Sequence, residues 1–324
     1  MRIGKLTNRE LKDNVIDLIG IKRPEVLSSA GISKDCAAIK CDDIILLTSD
    51  PITAANADAG RLAVVVSSND IAAGGGEPFC CLVTIIAPSS ATAADVGAVM
   101  RDIESEAKNL NIDVVGGHTE FSPHVNRLIV SCTMLGRTKK LAGKKIKDGD
   151  SIIMTKYAAI EGTIIIADDA PQEVLGLTDG ERAEIKELSK SLSVLEESRA
   201  ALECGISLMH DVTEGGIFGA VYEICLAGGV GADIYADNIP VLGVTKKICG
   251  RLGLEPRKLI SSGSMLIVTE SPGELLAKLE QKGIKASKIG EINNTSRVRV
   301  FQKDGNYNII ESEEDEISKI TGGI

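Results

Sequence analysis

Apolar and polar positions along the first 137 residues follow two spacings in turn. Nearly continuous apolar runs predict buried strands, and apolar residues spaced three and four apart predict amphipathic helices. In chain order, the pattern predicts a helix, a strand, a helix, a strand, a helix and two strands at residues 8–19, 44–48, 58–73, 79–87, 93–110, 112–115 and 128–135. The first part of the chain is therefore predicted to be an alternating α/β layer.

A change of composition separates this layer from the rest of the chain. Residues 138–150 are rich in Lys, Gly and Asp and contain few apolar positions, which is typical of a connection between domains. Strands and helices then alternate again, with strands predicted at 151–155, 207–210 and 263–268 and helices at 192–204, 217–227 and 275–281. The pattern predicts two α/β domains, residues 1–137 and 138–324, and a solvated acidic tail or helix face at residues 311–316.

The amino-acid composition limits the classes of molecule that the protein is expected to bind. The 324 residues carry a formal net charge of -10 and include no Trp, four Tyr and four Phe. An acidic chain without a basic stripe is repelled by nucleic-acid backbones and anionic membranes, and scarce aromatics leave no platform for base stacking. The N-terminus lacks the apolar region of a signal peptide, and no apolar run reaches the roughly 18 residues of a membrane span. We therefore expect a cytoplasmic protein that binds neither nucleic acid nor membrane.

Eight cysteines are scattered along the chain without the spacing of a metal site. There is no Cys-x-x-Cys pair and no His at metal-ligand spacing around Cys36, Cys41, Cys80, Cys81, Cys132, Cys204, Cys225 and Cys249. In a chain of this length without an export signal, we interpret these residues as small buried hydrophobes. A disulfide framework is the alternative interpretation.

In the first domain, several carboxylates occur in predicted loops and near the ends of predicted strands and helices. The candidates are Asp35, Asp50, Asp70 and Glu120, and Asn69 directly precedes the third of them. A cluster of carboxylate oxygens can hold Mg²⁺ against a phosphate. Each of these residues taken singly also fits an ordinary turn, cap or surface position. Their joint occurrence in this order favours a metal site.

A glycine pair follows the predicted strand at residues 112–115 and is followed in turn by polar side chains. Gly116 and Gly117 would expose backbone amides to phosphate oxygens, and Thr119 would add a hydroxyl beside them. His118 is a candidate for contact with phosphate or metal. The alternative is a tight turn with a polar tip. Because the chain has neither a P-loop nor a Gly-x-Gly-x-x-Gly sequence after a strand, a nucleotide site here would use dispersed carboxylates and amides.

A second candidate anion site opens a helix of the second domain. Asp211, Thr213 and Gly215 precede the helix at residues 217–227, whose first amides are free to bind an anion. In the alternative interpretation, Asp211 caps the helix by accepting a hydrogen bond from Glu214, and the glycines allow close packing. Neither motif is specific when taken alone.

The order of these short motifs along nearly the whole chain resembles the aminoimidazole ribonucleotide (AIR) synthetase superfamily, and within it the hydrogenase-maturation factors of the HypE type. The motifs are Asp35 to Ile39, Ser49-Asp50, Asn69-Asp70, Gly116 to Glu120, Asp211 to Gly216 and Ser262 to Ser264. The resemblance implies an N-terminal α/β domain that forms a sheet or barrel with a second subunit, and a C-terminal α/β sandwich domain.

The resemblance also implies ATP and Mg²⁺ bound between the domains. The matching acidic positions for the metal are Asp35, Asp50, Asp70 and Glu120, and the positions against the phosphates are Asn69, Gly116, Gly117, His118 and Thr119. In the second domain, Thr213 and Gly215 would contribute to the same site, and Asp211 would position the acceptor or a second metal. The reaction class is phosphoryl transfer that activates a small amide, carbamoyl or phosphate-bearing acceptor, in a homodimer with a possible maturation-protein partner.

The chain departs from the HypE pattern at its C-terminus. Members of that branch end in a tail with a terminal cysteine that carries the carbamoyl group, whereas the last cysteine here is Cys249. The resemblance therefore leaves the acceptor open, and an internal thiol such as Cys36 is one candidate. Two further functions are compatible with the same motifs: a nucleotide-binding regulatory or scaffold dimer without turnover, and a thiamine-monophosphate-kinase-like phosphotransferase.

Overall fold

The computed structural model describes residues 26–28, 32–33, 37–40, 42–53, 58–303, 305–310 and 314–321. Apart from residues 32–33, which belong with the second unit, the described chain divides into two compact units after Leu141. The predicted helix at residues 8–19, Asp35 and Cys36 lie outside the described residues. Both units combine sheets with helices, which confirms the predicted α/β class.

The N-terminal unit is a six-stranded sheet with two helices on one face. Its elements are β1 (Val26–Ser28), β2 (Ala37–Lys40), β3 (Ile44–Ile52), α1 (Ala59–Ala73), β4 (Glu77–Pro88), α2 (Ala93–Asn109), β5 (Asp113–Ser122) and β6 (Ile129–Thr138). The strand order is β1-β2-β3-β6-β4-β5. Strand β5 is therefore an edge strand and pairs in parallel with β4, whereas the other pairs are antiparallel.

The two faces of this sheet differ in how well they are covered. On β4, Val83 and Ile85 alternate with more exposed residues and are buried in a core that includes Ile71 of α1 and Ile103 of α2. The opposite face carries Leu82, whose side chain is 43% exposed. A single exposed apolar side chain is ordinary on a protein surface, so this face is simply less covered than the face that packs on α1 and α2.

The residues predicted to form a glycine loop are part of strand β5, so that prediction is wrong. Residues Gly116 to Glu120 continue the strand, because their backbone groups find partners along β4, with Gly117 opposite Val83. Gly117 has a φ of 152°, and a Cβ there would lie 1.8 Å from the carbonyl oxygen of Val83. The glycine is thus explained by the close approach of two backbones.

The C-terminal unit is a seven-stranded sheet with the order β13-β12-β9-β11-β7-β10-β8. Its strands are β7 (Ser151–Thr155), β8 (Ile206–Asp211), β9 (Gly231–Tyr235), β10 (Met265–Thr269), β11 (Ala286–Asn293), β12 (Val298–Phe301) and β13 (Tyr307–Ile310). Its helices are α3 (Ile160–Asp169), α4 (Gln172–Leu175), α5 (Asp179–Leu188), α6 (Leu195–Leu202), α7 (Gly216–Gly228), α8 (Gly243–Leu252), α9 (Pro272–Gln281) and α10 (Ser318–Thr321). None of the described helices has both the length and the apolar character of a membrane span.

The core of this unit lies between helix α7 and the sheet. Ile217 and Val221 of α7 are fully buried against Ile234 of β9, Val268 of β10 and other strand residues. Because the first half of α7 is buried in this core, its N-terminal end is fixed beside the end of β8. The chain therefore delivers the segment between β8 and α7 to one defined position in the fold.

Candidate functional site

Two of the predicted metal ligands come together at one hydroxyl group. Asp50 lies on β3 and Asp70 on the last turns of α1. The Oγ1 atom of Thr48 lies 2.5 Å from Oδ2 of Asp70 and 3.2 Å from Oδ2 of Asp50. Asp70 is only 7% exposed, and Asp50 is half-buried. The structure thus places two carboxylates and a hydroxyl in one partly enclosed cluster.

The local structure explains how this cluster forms. Alternate residues of a strand point to the same face, so Leu46, Thr48 and Asp50 all face the layer that contains α1. Asn69 and Asp70 lie on the part of α1 that is buried, and Asn69 has no exposed surface. Placing polar and charged groups in a core is unfavourable unless they have partners, and Asp70 finds one in the hydroxyl of Thr48.

Thr48 is the member of the cluster that the motif pattern did not indicate as a site residue. The spacing of Thr48 and Asp50 on a predicted strand does place the two side chains on one face. Their approach to Asp70, 22 positions along the chain, depends on how α1 packs on β3. That approach is visible only in the folded structure.

The donor set of the cluster suits a hard cation. Mg²⁺ binds oxygen ligands and is commonly held by one or two carboxylates, with water and substrate phosphates completing its shell. Asp50 and Asp70 supply two such carboxylates. Among the described residues, no group of three His, Cys, Asp or Glu side chains forms a closed metal site. These residues therefore fit a magnesium site in which the protein supplies some of the ligands and a phosphate supplies others.

Glu120 is not part of this cluster within one chain. Strands β6 and β4 separate β5 from β3, so the two strands are about 14 Å apart. Glu120 is in register with Ile86, which lies on the opposite face of β4 from buried Ile85. Asp50 is in register with Cys132, which is buried in the same core as Ile85. Glu120 and Asp50 thus project from opposite faces of the sheet.

The polar residues of β5 form a separate, solvent-exposed group. The Nε2 atom of His118 lies 3.3 Å from Oε2 of Glu120, and both side chains are more than half exposed. Gly116, Gly117 and Thr119 are exposed on the same strand. The structure brings these five predicted residues together, but it places them apart from Asp50 and Asp70.

The second predicted anion site lies between β8 and α7. Asp211 is the last residue of β8 and is buried, while Gly215, with a φ of 83°, is the N-cap residue of α7. The alternative in which Asp211 caps this helix is therefore wrong. Gly216 has a φ of 60°, and a Cβ there would lie 2.7 Å from the carbonyl oxygen of Leu259. Glycine is required at this point by both backbone conformation and packing.

A carboxylate from the C-terminal segment accepts a hydrogen bond from the backbone amide at the start of α7. Oδ2 of Asp315 accepts a hydrogen bond of 2.7 Å from the backbone N–H of Gly215, and Oδ1 accepts one of 2.7 Å from Ile317. Burial raises the pKa of the Asp315 carboxyl to about 6, although the backbone N–H groups of Ile317, Gly215 and Ile260 oppose that rise. The predicted solvated character of the acidic run is wrong for Asp315 and for buried Glu316.

The raised pKa of Asp315 predicts a pH dependence of stability. The unfolded chain releases this proton near pH 4 and the folded chain near pH 6, so stability falls as pH rises between these values. In urea titrations, we expect the free energy of unfolding of the wild type to fall on the order of 2 kcal/mol relative to Asp315→Asn over this window. The exposed neighbour variant Glu314→Gln should keep the wild-type dependence. Parallel pH profiles for the wild type and Asp315→Asn would contradict the prediction.

The remaining described histidines and cysteines are not part of the carboxylate cluster. Nε2 of buried His210 lies 3.0 Å from Oε2 of Glu223 on α7, and His124 is exposed after β5. The cysteines in the described residues are free thiols, so no disulfide forms among them. Burial raises the pKa of both Cys225 and Cys249 to about 12. These thiols are inert at neutral pH, as expected for small buried hydrophobes.

The fold and the site define a class: a two-domain α/β protein with a cluster of oxygen ligands on its N-terminal sheet. The N-terminal domain of AIR synthase related protein matches residues 32–138, and the C-terminal domain of the same family matches residues 147–303. The chain belongs to the AIR synthase related protein family.

Relatives of this chain carry names from hydrogenase maturation. A putative hydrogenase expression/formation protein of Methanocaldococcus jannaschii is 26% identical over 279 residues, which cover 82% of this chain and 80% of the relative. A HypE structure in complex with ATP has a TM-score of 0.71 at 18% identity and covers 95% of each chain. The HypE chain of a HypE-HypF complex has a TM-score of 0.71 at 21% identity, covering 94% of this chain and 99% of that chain. The structural likenesses confirm the two-domain fold.

Proposed function

We propose that this protein is a Mg²⁺-dependent, ATP-using enzyme of the HypE type that activates a small amide, carbamoyl or phosphate-bearing acceptor by phosphoryl transfer. The observation that carries the proposal is the pair of carboxylates, Asp50 and Asp70, joined through the hydroxyl of Thr48. The structure of a similar HypE protein in complex with ATP supports the choice of nucleotide. The AIR synthase related family supplies the fold on which this site is built.

In this proposal, Asp50 and Asp70 hold the magnesium ion, and Asp35 is a further ligand. A magnesium ion held by these residues would supply positive charge to offset the negative charge on the terminal phosphates of ATP. Thr48 keeps the two carboxylates at a fixed separation through its hydroxyl. Buried Asn69 supplies an amide that can contact a phosphate oxygen. The chain's own residues thus orient the ion before the nucleotide arrives.

The second anion position of the proposal is the start of α7. The N–H of Gly215 points out of the N-terminal end of the helix, where the helix dipole favours an anion. Thr213 adds a hydroxyl in the same segment. Asp211 is proposed to position the acceptor from the adjoining end of β8. This arrangement assigns metal binding to the N-terminal unit and acceptor binding to the C-terminal unit.

We also propose that the protein is a homodimer that pairs through the N-terminal sheet. Strand β5 is an edge strand of ten residues with unpaired backbone groups along one side. It carries Val115 and Phe121, whose side chains are 60% and 49% exposed. A second copy would cover this edge and these apolar side chains. The polar group of His118, Thr119 and Glu120 would then lie at the subunit junction, which is where we propose that it contacts phosphate or metal.

A maturation protein is the proposed macromolecular partner. The support is the HypE-HypF complex, in which a protein similar to this chain is assembled with a second protein. The name of the Methanocaldococcus jannaschii relative agrees with such a role. The acceptor group would in that case be delivered by the partner.

Calorimetric titration with a non-hydrolysable ATP analogue, with and without Mg²⁺, tests the nucleotide proposal. We expect saturable binding that is at least tenfold tighter with Mg²⁺, because the ion bridges the carboxylates and the phosphates. Release of ADP from ATP in the presence of a carbamoyl or amide acceptor would then support turnover. Binding without any ADP release would instead favour the regulatory dimer. If the analogue does not bind in either condition, the proposal is wrong.

A further inference from the structure

We infer that the C-terminal segment, residues 314–321, is an internal competitor that must leave the start of α7 before an anionic acceptor can bind there. The inference rests on the anion position in the proposed function and adds a form of regulation to it. In the described state, the carboxylate of Asp315 takes the Gly215 N–H that the acceptor's phosphate or carboxylate would need. A helix N-terminus can serve only one such anion at a time.

The geometry of Asp315 is that of a bound anion. Its two oxygens accept hydrogen bonds from the amides of Gly215 and Ile317, and the amide of Ile260 also donates to the carboxyl. The amides of Gly215 and Ile260 come from two different loops, one before α7 and one before β10. A carboxylate that arrives from 100 positions further along the chain therefore bridges both loops.

A buried hydroxyl in the loop that also contains the Ile260 amide has no hydrogen-bond partner among the described residues. Ser262 is 1% exposed, and its Oγ atom makes no hydrogen bond there. The loop that contains it is tied to the segment before α7, because Ser261 N–H donates to Thr213 and Val212 N–H donates to Ser264. Buried hydroxyls are nearly always paired, so an unused one in the loop whose Ile260 amide binds the Asp315 carboxylate favours a ligand other than the segment.

Glu316 adds two hydrogen bonds between the segment and its unit. The N–H of Glu316 donates to the carbonyl of Lys258 at 3.1 Å, and the carboxylate of Glu316 accepts from the N–H of Glu255 at 3.4 Å. Ile317 and Ile320 are only half-buried, so the segment contributes little to the apolar core. A short segment whose apolar side chains are only half-buried can detach without unfolding the domain.

Charge near Asp315 further limits the strength of this attachment. Burial disfavours the ionised carboxylate, and Glu214 repels it. Glu316 and Glu255 add two more carboxylates on the segment and on the adjoining loop, while Lys258 and Arg257 are the cations of that loop. The ionised Asp315 carboxylate is therefore held less firmly than its three amide hydrogen bonds alone would hold it.

Inorganic phosphate is the probe that tests the competition in the full chain. We expect Asp315→Ala to bind phosphate at least tenfold tighter than the wild type in calorimetry, because the amides are free. The matched variant Glu314→Ala removes a charge from the exposed neighbour and should behave like the wild type. In the wild type, saturating phosphate should increase hydrogen exchange of the amides in residues 314–321.

Two outcomes would overturn the inference. One is equal phosphate affinity in the wild type and Asp315→Ala, with only a lower melting temperature, which would make Asp315 a structural cap. The other is phosphate binding in the wild type without any change in exchange of residues 314–321. Ile317→Gln should weaken the attachment of the segment without removing Asp315, and it should likewise bind phosphate more tightly than the wild type. This variant replaces Asp315→Ala in the experiment if Asp315→Ala does not fold. Because the phosphate assay needs neither ATP nor Mg²⁺, failure of the nucleotide proposal in the ATP titration would be recognised separately.

Discussion

Replacing Asp70 with Asn is expected to lower the affinity for the Mg²⁺ complex of an ATP analogue by about 100-fold, because the ion would lose one of its carboxylate ligands. Asn has the shape of Asp and keeps an oxygen that can accept the hydrogen bond from Thr48. The buried cluster should therefore remain folded, and the loss should come from the missing charge. Calorimetric titration at one Mg²⁺ concentration measures the difference directly.

Three comparisons separate this effect from a general loss of charge. Asp102→Asn makes the same change at an exposed position on α2 and should keep wild-type affinity. Asp50→Ala should also abolish Mg²⁺-dependent binding. Thr48→Val should reduce affinity by about tenfold, since it removes the hydroxyl between the two carboxylates but neither ligand. Full affinity in both Asp70→Asn and Asp50→Ala would show that the cluster does not hold the metal.

Placing charge on β5 is expected to separate the proposed dimer into monomers. In the double variant Val115→Glu/Phe121→Glu, two exposed apolar side chains become carboxylates that a second copy would have to bury. Burying an unpaired charge costs about 3–5 kcal/mol, so dissociation should become at least 100-fold easier. Sedimentation equilibrium over a range of protein concentrations measures this change.

The control for this experiment lies in the other unit. Val174 is 47% exposed on α4, so Val174→Glu adds a carboxylate to a comparable apolar position away from β5. It should leave the dimer intact. A wild-type protein that is monomeric at about 100 μM, or a double variant that dimerises as tightly as the wild type, would reject pairing through β5.

Much of the secondary structure is encoded locally. Strand β7 begins and ends at the predicted residues, and α1 and α2 differ from the prediction by one residue at one end. The start of α2 has its own signal, since Thr92 and Asp95 form a reciprocal capping box. By contrast, the strands β9, β11, β12 and β13 and the helices α3, α5 and α8 were not predicted. Several of these are short, or mix charged and apolar residues, and gain their stability from packing on the unit core.

The sequence by itself determined the family to which the protein belongs. Carboxylates at Asp50 and Asp70, the absence of a P-loop and the order of the short motifs were enough to indicate the AIR synthase related family, and the matches over residues 32–138 and 147–303 confirm it. These features are local, because each depends on residue type and on neighbours a few positions away.

Only the tertiary structure decided which of these residues meet. Thr48 joins Asp50 to Asp70, while strand order places β5 about 14 Å from β3, with Glu120 on the opposite face of the sheet. Gly117 belongs to a strand because β4 offers its backbone partners, and Asp315 reaches Gly215 across 100 positions. Each of these outcomes depends on hydrogen bonds and burial between segments distant in sequence, which a local pattern of apolar and polar residues does not specify.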